Sequence, residues 1–490
     1  MAVLGLDIGT TRTKCQVFGE DGSMLSEASG EFPLLRRGGE SYLDIRALTQ
    51  KVFQVIGQAA KASPQPPGTI CISSLGESFV PVDKNGALAD VMLYSDPRGK
   101  EEAESLTAAL GAERILRIAG VRPKGIYSLP KMMWLKEHQP EIYRKADKLL
   151  LVGDYAGWLL TGQCGVGLSL AARSMALDVR TRTWSGELLD AAGIPVQKFS
   201  LPLPPGEEVG KVRPDLCREL GLAPGCRVVA GGHDQSMAAI GAGALASGSG
   251  INGMGTVDCI THVFDQPCTD PAFADAGFVS VPYVEGRYVS YAFSLDGGGL
   301  LNWFRDKLTE NRAYEEGFYD HFESRLSEAP SGLLFLPYLS GSATPYFDER
   351  AVGAVVGLTQ NTDLFALYRA VLESTSFEMK LNLDVLSQSK VAPDRLLAAG
   401  GCSRSDVWLQ IRADILGLPI TRLFNHECGL CGAAMLCAVA DGAYPDLEAA
   451  AAAFVREGPV FVPDPRRQEA YLPHYERYKK LYPALKALRS

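Results

Sequence analysis

Residues 5–14 read Gly5-Leu6-Asp7-Ile8-Gly9-Thr10-Thr11-Arg12-Thr13-Lys14. Ala2 to Ile8 is an apolar run of strand length, and Gly9-Thr10-Thr11 is a tight turn. Thr13 to Phe18 reads as a second strand, closed by a hairpin turn at Glu20-Asp21-Gly22. A Gly turn between two strands exposes backbone N–H groups that can cradle phosphate. The hydroxyls of Thr10 and Thr11 can donate to phosphate oxygens, Lys14 can offset their charge, and Asp7 is placed to hold Mg²⁺ through water. An ordinary hairpin with a polar turn accounts for the same residues equally well. The loop is not a Walker A, because G-x-x-x-x-G-K-[ST] is absent.

Further along, the same unit returns. An apolar strand leads into Gly253-Met254-Gly255-Thr256 and then into a second strand through Cys259 and Ile260. Two half-chains that open alike make duplication plausible. Between the two units, Ile45, Leu48, Val52, Val55, Ile56 and Ala59 lie at helical spacing. A Pro-rich break, Pro64-Gln65-Pro66-Pro67-Gly68, precedes a short strand from Thr69 to Ser73. Strands and helices go on alternating, which predicts α/β layers. The Gly-, Ala- and Ser-rich stretch from Ala230 to Gly255 puts a domain boundary near residue 245, giving halves 1–245 and 246–490.

Composition sets bounds on function. The 490 residues are 46% hydrophobic and 21% charged, enough for a large core without disulfide staples. A net charge of −9 lacks the basic footprint of a nucleic-acid binder. The apolar run at Met1 to Gly9 is too short for a secretory signal, and no stretch is long enough to span a membrane, so a cytoplasmic chain is expected. The 11 cysteines are scattered, which fits a reducing compartment. Cys428-Gly-Leu-Cys431 has C-x-x-C spacing with His426 nearby, but no second ligand pair follows, so both are read as small core residues.

Two further stretches carry chemistry. Val228-Val229-Ala230-Gly231-Gly232-His233-Asp234-Gln235-Ser236 reads as a buried strand that ends in two glycines, with a helix beginning at Asp234. Asp234 either caps that helix or accepts a proton from a hydroxyl that the Gly pair allows to approach. His233 reads as structural. Ala398-Ala399-Gly400-Gly401-Cys402-Ser403-Arg404-Ser405 follows a strand from Arg395 to Ala398, and its Gly-Gly-x-Ser can pass under a flat base. No G-x-G-x-x-G with a downstream acid supports a Rossmann dehydrogenase.

Taken together these stretches resemble the FGGY carbohydrate kinase family over nearly the whole chain. The opening GLDIGTT resembles its first phosphate loop, and GGHDQ its catalytic loop. Ile126 to His138 resembles its first signature, with Ile126 where a smaller or aromatic residue is usual. Gly353 to Glu373 resembles the second, with a departure at Ala366. Tyr94-Ser95-Asp96-Pro97-Arg98 is similar to the W-N-D-x-R segment of the xylulokinase branch, with Tyr94 for Trp.

The resemblance implies a duplicated pair of ribonuclease-H-like, actin/hexokinase-type α/β domains with an interdomain cleft, sugar on the first and ATP held largely by the second. It makes Asp234 the expected base. Thr10, Thr11 and Lys14 match one phosphate loop, and Gly255 and Thr256 the other. Gly298 and Asn302, in DGGGLLNWFRD, match nucleotide contacts, and Gly401 and Ser405 match the adenosine side. Glu77, Asp96, Asp234 and Gln235 are expected around the acceptor. Glu77 sits where glycerol kinases carry a sugar-binding Glu and xylulokinases a His, and Gly76 replaces a neighbouring Arg or Met.

The expected activity is ATP- and Mg²⁺-dependent phosphorylation of a small sugar or polyol, with a ketopentose such as xylulose or ribulose foremost. The rival is an ATPase-only or non-catalytic member of the actin-like superfold. The expected partner is a small molecule, with no nucleic acid and no membrane, and a homodimer is possible.

Overall fold

The computed structural model describes residues 2–309, 317–425 and 427–489. His426 therefore lies outside the described residues. Five strands make the body of a first sheet: β1 (Ala2–Ile8), β2 (Arg12–Phe18), β3 (Met24–Glu31), β4 (Pro67–Ser74) and β5 (Arg227–His233). Five make a second: β6 (Ser249–Met254), β7 (Asp258–Phe264), β8 (Tyr288–Ser294), β9 (Arg395–Ala399) and β10 (Ile420–Leu423).

The strand orders are β5-β4-β1-β2-β3 and β10-β9-β6-β7-β8, each with short edge strands added. In both sheets the two pairings on the hairpin side are antiparallel and the two on the other side are parallel. The echo between the phosphate-loop stretches thus extends to whole sheets. β1–turn–β2 and β6–turn–β7 occupy equivalent places.

The helix read from spacing is α1 (Ile45–Ala62). Asp44 caps it by accepting from the N–H groups of Arg46 and Ala47, and Leu48, Val52, Val55, Ile56 and Ala59 form its buried stripe. Pro67 opens β4, inside what the sequence reads as a break; the first residue of a strand tolerates proline. The remaining helices that matter are α2 (Ser128–His138), α3 (Asp234–Gly241), α4 (Leu364–Gln388), α5 (Asp406–Leu416), α6 (Cys428–Ala440) and α7 (Pro465–Tyr478).

Although α6 belongs to the second half of the sequence, it packs on β1 and β4 of the first sheet and against α3. The approach is close: a Cβ at Gly432 would lie 2.2 Å from the Met237 carbonyl oxygen. Cys428 and Cys431 are buried on α6. Burial raises both thiols, Cys431 to about 12, which keeps them protonated.

Both signature stretches hold structure together. Lys131 on α2 is fully buried, and its Nζ donates to the carbonyls of Asp96 at 2.6 Å and Arg98 at 2.8 Å. On α4, Arg369 and Glu373 form a buried pair, and Tyr471 of α7 donates to Glu373 at 3.1 Å. Tyr478 of α7 donates to Glu378 one turn further on.

Candidate active site

Asp7 ends β1, and Asp234 opens α3 just past the end of β5. These are C-terminal strand ends on the parallel side of the sheet, with β4 between β1 and β5, where open α/β sheets place their ligands. Asp234 is not the helix cap: His233 occupies that position, and the Asp234 carboxylate accepts the adjacent Gln235 N–H at 2.6 Å, with His233 Nε2 3.4 Å away. Its side chain is 38% exposed, so it opens into the cleft. Desolvation by the cleft walls pushes its pKa up to about 7, and the charge on Asp7 adds to this, while the Gln235 N–H opposes it.

The Gly pair before Asp234 has a different role from the one read in the sequence. Gly231 and Gly232 lie inside β5, not beyond it. A Cβ at Gly231 would fall 2.0 Å from the Ile72 carbonyl oxygen, and one at Gly232 would fall 2.1 Å from Ser169 Oγ. The pair admits the protein's own neighbours rather than a ligand. His233 is buried and held neutral, with its pKa driven well down by burial and by Arg173.

Around Asp234, the structure brings together Glu77, Arg173, Tyr127, Tyr94 and Tyr291. Arg173 Nε donates to Glu77 Oε1 at 2.6 Å. Its guanidinium lies 5.3 Å from the Tyr127 ring centroid and 5.6 Å from that of Tyr291. Glu77 adopts a left-handed backbone, φ 57°, which non-glycine residues rarely take outside strained functional loops. Tyr291 comes from the second sheet, and its hydroxyl is 2.9 Å from Ser236 Oγ on α3, so both sheets wall the cleft. Gln235 stands half-buried beside Asp234.

Asp96 is not among the residues brought to the cleft. Its carboxylate accepts from Arg98 Nε at 2.6 Å, Arg98 Nη2 at 2.7 Å, Ser41 N–H at 2.8 Å and Arg98 N–H at 3.1 Å. Those four donors use its lone-pair capacity. Burial works against its charge, but Arg98 and these N–H groups outweigh it and hold its pKa below the usual range. Asp96 fixes a turn.

Thr10 and Thr11 form the turn that closes β1 to β2, and Thr10 bonds to the Tyr94 hydroxyl. Lys14 Nζ donates to Glu427 at 2.6 Å, beside Asp7. Asp7 accepts from Ser73 Oγ at 2.7 Å through one oxygen, which leaves the other for a hard cation. Desolvation raises its pKa. A Mg²⁺ ion keeps several waters and needs only one or two carboxylates, so Asp7 suits it in donor chemistry.

The second half contributes a cavity of about 600 Å³. Six residues read from the sequence line it: Gly255, Thr256, Gly298, Asn302, Gly401 and Ser405. The Gly298 N–H donates to the Gly255 carbonyl at 2.8 Å, which ties the two glycine turns together. Ser405 caps α5 through its hydroxyl oxygen. Tyr319, Asp320, Glu323 and Arg404 also line the cavity and were missed. The first three lie on a short helix with no motif of its own. Arg173 was missed as well, because nothing in Ser169-Leu-Ala-Ala-Arg173 marks it.

The N-terminal domain model of the FGGY family of carbohydrate kinases matches residues 2–241, and the C-terminal domain model of that family matches residues 252–440. The chain is 28% identical over 497 residues to a xylulose kinase of Bacillus subtilis, covering 100% of this chain and 98% of the relative. It is 28% identical to a gluconokinase of Bacillus licheniformis, over 90% of this chain and 88% of the relative. The crystal structure of a ligand-bound xylulose kinase from Lactobacillus acidophilus superposes with a TM-score of 0.91 at 25% identity, covering 99% and 98% of the two chains. Among the described residues no helix is long and apolar enough to cross a membrane. With both domain models matched in order along a duplicated fold, the chain belongs to the FGGY family of carbohydrate kinases and is a sugar kinase.

Proposed function

We propose that this kinase transfers the γ-phosphoryl group of ATP to a hydroxyl of an open-chain sugar, with Asp234 as general base. One observation carries the reading. Asp234 is a cleft-facing carboxylate whose pKa lies near 7, where a base is both ionised and strong enough to take a hydroxyl proton. The 1–245 half provides the acceptor site and the 246–490 half the nucleotide site.

In this reading the acceptor lies against Glu77, Tyr127 and Gln235, with its reacting hydroxyl at Asp234. Adenosine lies in the cavity between Gly401, Ser405 and Asn302, and the phosphates lie along Gly255–Thr256 and Thr10–Thr11. Asp7 would hold Mg²⁺, which when bound offsets the phosphate charge. Asp234 receives the hydroxyl proton as the oxygen attacks phosphorus, and the backbone N–H groups of the two turns bind the transferring oxygens. Positioning and electrostatics supply most of such a rate. Closing the halves excludes water, which would otherwise be the acceptor.

The xylulose kinase relatives support a ketopentose such as xylulose or ribulose as acceptor, and the gluconokinase relative supports a sugar acid. A coupled ADP-release assay over ketopentoses, ketohexoses, polyols and sugar acids tests the reading. ADP release that requires one class of acceptor is expected. Equal ADP release with and without every sugar would leave an ATPase and end the proposal.

A further inference from the structure

The helix Lys100–Leu110 follows the Asp96–Arg98 turn and packs against α2. Glu102, in the first turn of that helix, is only 6% exposed. Among the described residues, the one donor to its carboxylate is its own N–H. Lys131 on α2 lends it an attractive field but spends its ammonium on the carbonyls of Asp96 and Arg98. Burial pushes the Glu102 pKa up, and the charge on Glu137 adds to this. A buried carboxylate that no neighbour pairs is costly, and native interiors seldom keep one without a partner.

The last two residues of α2 stand beside it. One ligand atom each from Glu102, Glu137 and His138 lies within 4.8 Å of the other two. Glu137 and His138 are exposed, so an ion can reach the group from solvent. The His138 ring is already oriented. It stacks on Trp134 with centroids 4.7 Å apart and planes 9° apart, and its Nδ1 is 3.1 Å from the Trp134 carbonyl oxygen. A carbonyl can only accept, so Nδ1 carries the proton and Nε2 keeps its lone pair. A hydrogen bond from the far ring nitrogen is how proteins align a metal-binding imidazole. We infer that Glu102, Glu137 and His138 form a site for a first-row divalent transition ion of the Zn²⁺ type, which ties the helix Lys100–Leu110 to the end of α2. An imidazole with two carboxylates suits such an ion better than Mg²⁺, whose ligands are oxygens. Three protein ligands leave a fourth position for water. None of the three belongs to the residues assigned above to the acceptor, the nucleotide or Mg²⁺, so this ion is separate from that of the reaction.

Calorimetric titration of the whole chain with ZnCl₂, in excess Mg²⁺ and without nucleotide, tests the inference. Wild type is expected to take up Zn²⁺, and Glu102→Gln, Glu137→Gln and His138→Gln are each expected to weaken that binding about tenfold or more. All three should melt as wild type does in the absence of Zn²⁺, which shows that they fold. An ion that binds only the folded chain stabilises it. Zn²⁺ should therefore raise the melting temperature of wild type, further Mg²⁺ should not, and Glu102→Gln should lose the rise. His474→Gln, which removes a histidine of α7 outside the group, should change neither readout. A wild-type melting temperature indifferent to Zn²⁺, or Zn²⁺ binding unchanged in Glu102→Gln or His138→Gln, would overturn the inference. Glu102 would then be a carboxyl kept protonated by burial, and any bound Zn²⁺ would sit on other side chains.

Discussion

Glu77 Oε1 accepts from two nitrogens of one guanidinium, Nε and Nη2 of Arg173, in an ion pair whose side chains are 8% and 10% exposed. The partners stand 96 residues apart in the chain. A Cβ at Gly76 would lie 2.8 Å from the His233 ring and 3.3 Å from Arg173 Cβ, and the cation beside Glu77 comes from a different segment from the neighbouring Arg or Met that the family resemblance leads one to expect.

Glu77→Gln is therefore expected to act on stability as well as on the acceptor. Removing one charge of a buried pair leaves the other uncompensated, at a cost of roughly 3–5 kcal/mol. Urea unfolding should show this loss, and the double change Glu77→Gln with Arg173→Met should recover part of it. In the assay, the acceptor KM should rise while the ATP KM holds. A single variant as stable as wild type would mean that the pair is solvated.

Asp234→Asn keeps shape and removes the base. It is expected to fold, to bind ATP in calorimetry and to lose about 10²–10⁴ in kcat. Because His233 holds the cap position, the change should not weaken α3. Near-normal kcat in a folded variant would remove Asp234 from the mechanism.

The raised pKa of Asp234 gives two pH dependences of opposite sense. The base works ionised, so kcat/KM should fall as pH drops through about 7. Stability runs the other way. The folded chain keeps the Asp234 proton up to about 7, whereas the unfolded chain releases it near 3.8. The contribution is thus fully present below the unfolded value and lost as pH rises through the folded one. Melting temperatures of Asp234→Asn should match wild type at pH 4 and exceed it at pH 8. A gap that is largest at low pH would contradict the assignment.

Gly400 and Gly401 are expected to respond differently. Gly400 has φ 99°, and a Cβ there would lie 2.6 Å from the Met254 carbonyl oxygen, so Gly400→Ala should destabilise the fold. A Cβ at Gly401 meets nothing within 4 Å and lies on the cavity proposed for the nucleotide. Gly401→Val should keep the melting temperature and raise the ATP KM about tenfold or more through steric exclusion. Unchanged ATP binding would take the nucleotide away from this loop.

Legibility followed the range of the interactions. The turns at Gly9–Thr11 and Gly255–Thr256 depend on backbone chemistry within a few residues, and both were readable. So was the strand-to-helix junction at Asp234. Asp96 was misplaced because the identity of a carboxylate does not reveal which donors surround it. Its partners Ser41 and Arg98, and the Lys131 ammonium that fixes their turn, meet only after α2 packs. The role of Gly231-Gly232 was misread for the same reason, since Ile72 and Ser169 approach from elsewhere.

By itself the sequence determined the α/β class, the duplicated hairpin units, the family and the aspartate at the end of β5. These are written in local hydrophobic period, turn chemistry and motif order, which survive without knowledge of the packing. The tertiary structure alone decided which charges share the cleft. It brought Arg173 to Glu77, turned Asp96 inward and laid α6 of the second half across the first sheet. The field at a site is a sum over groups far apart in sequence, and its strength depends on how much water the surrounding walls exclude.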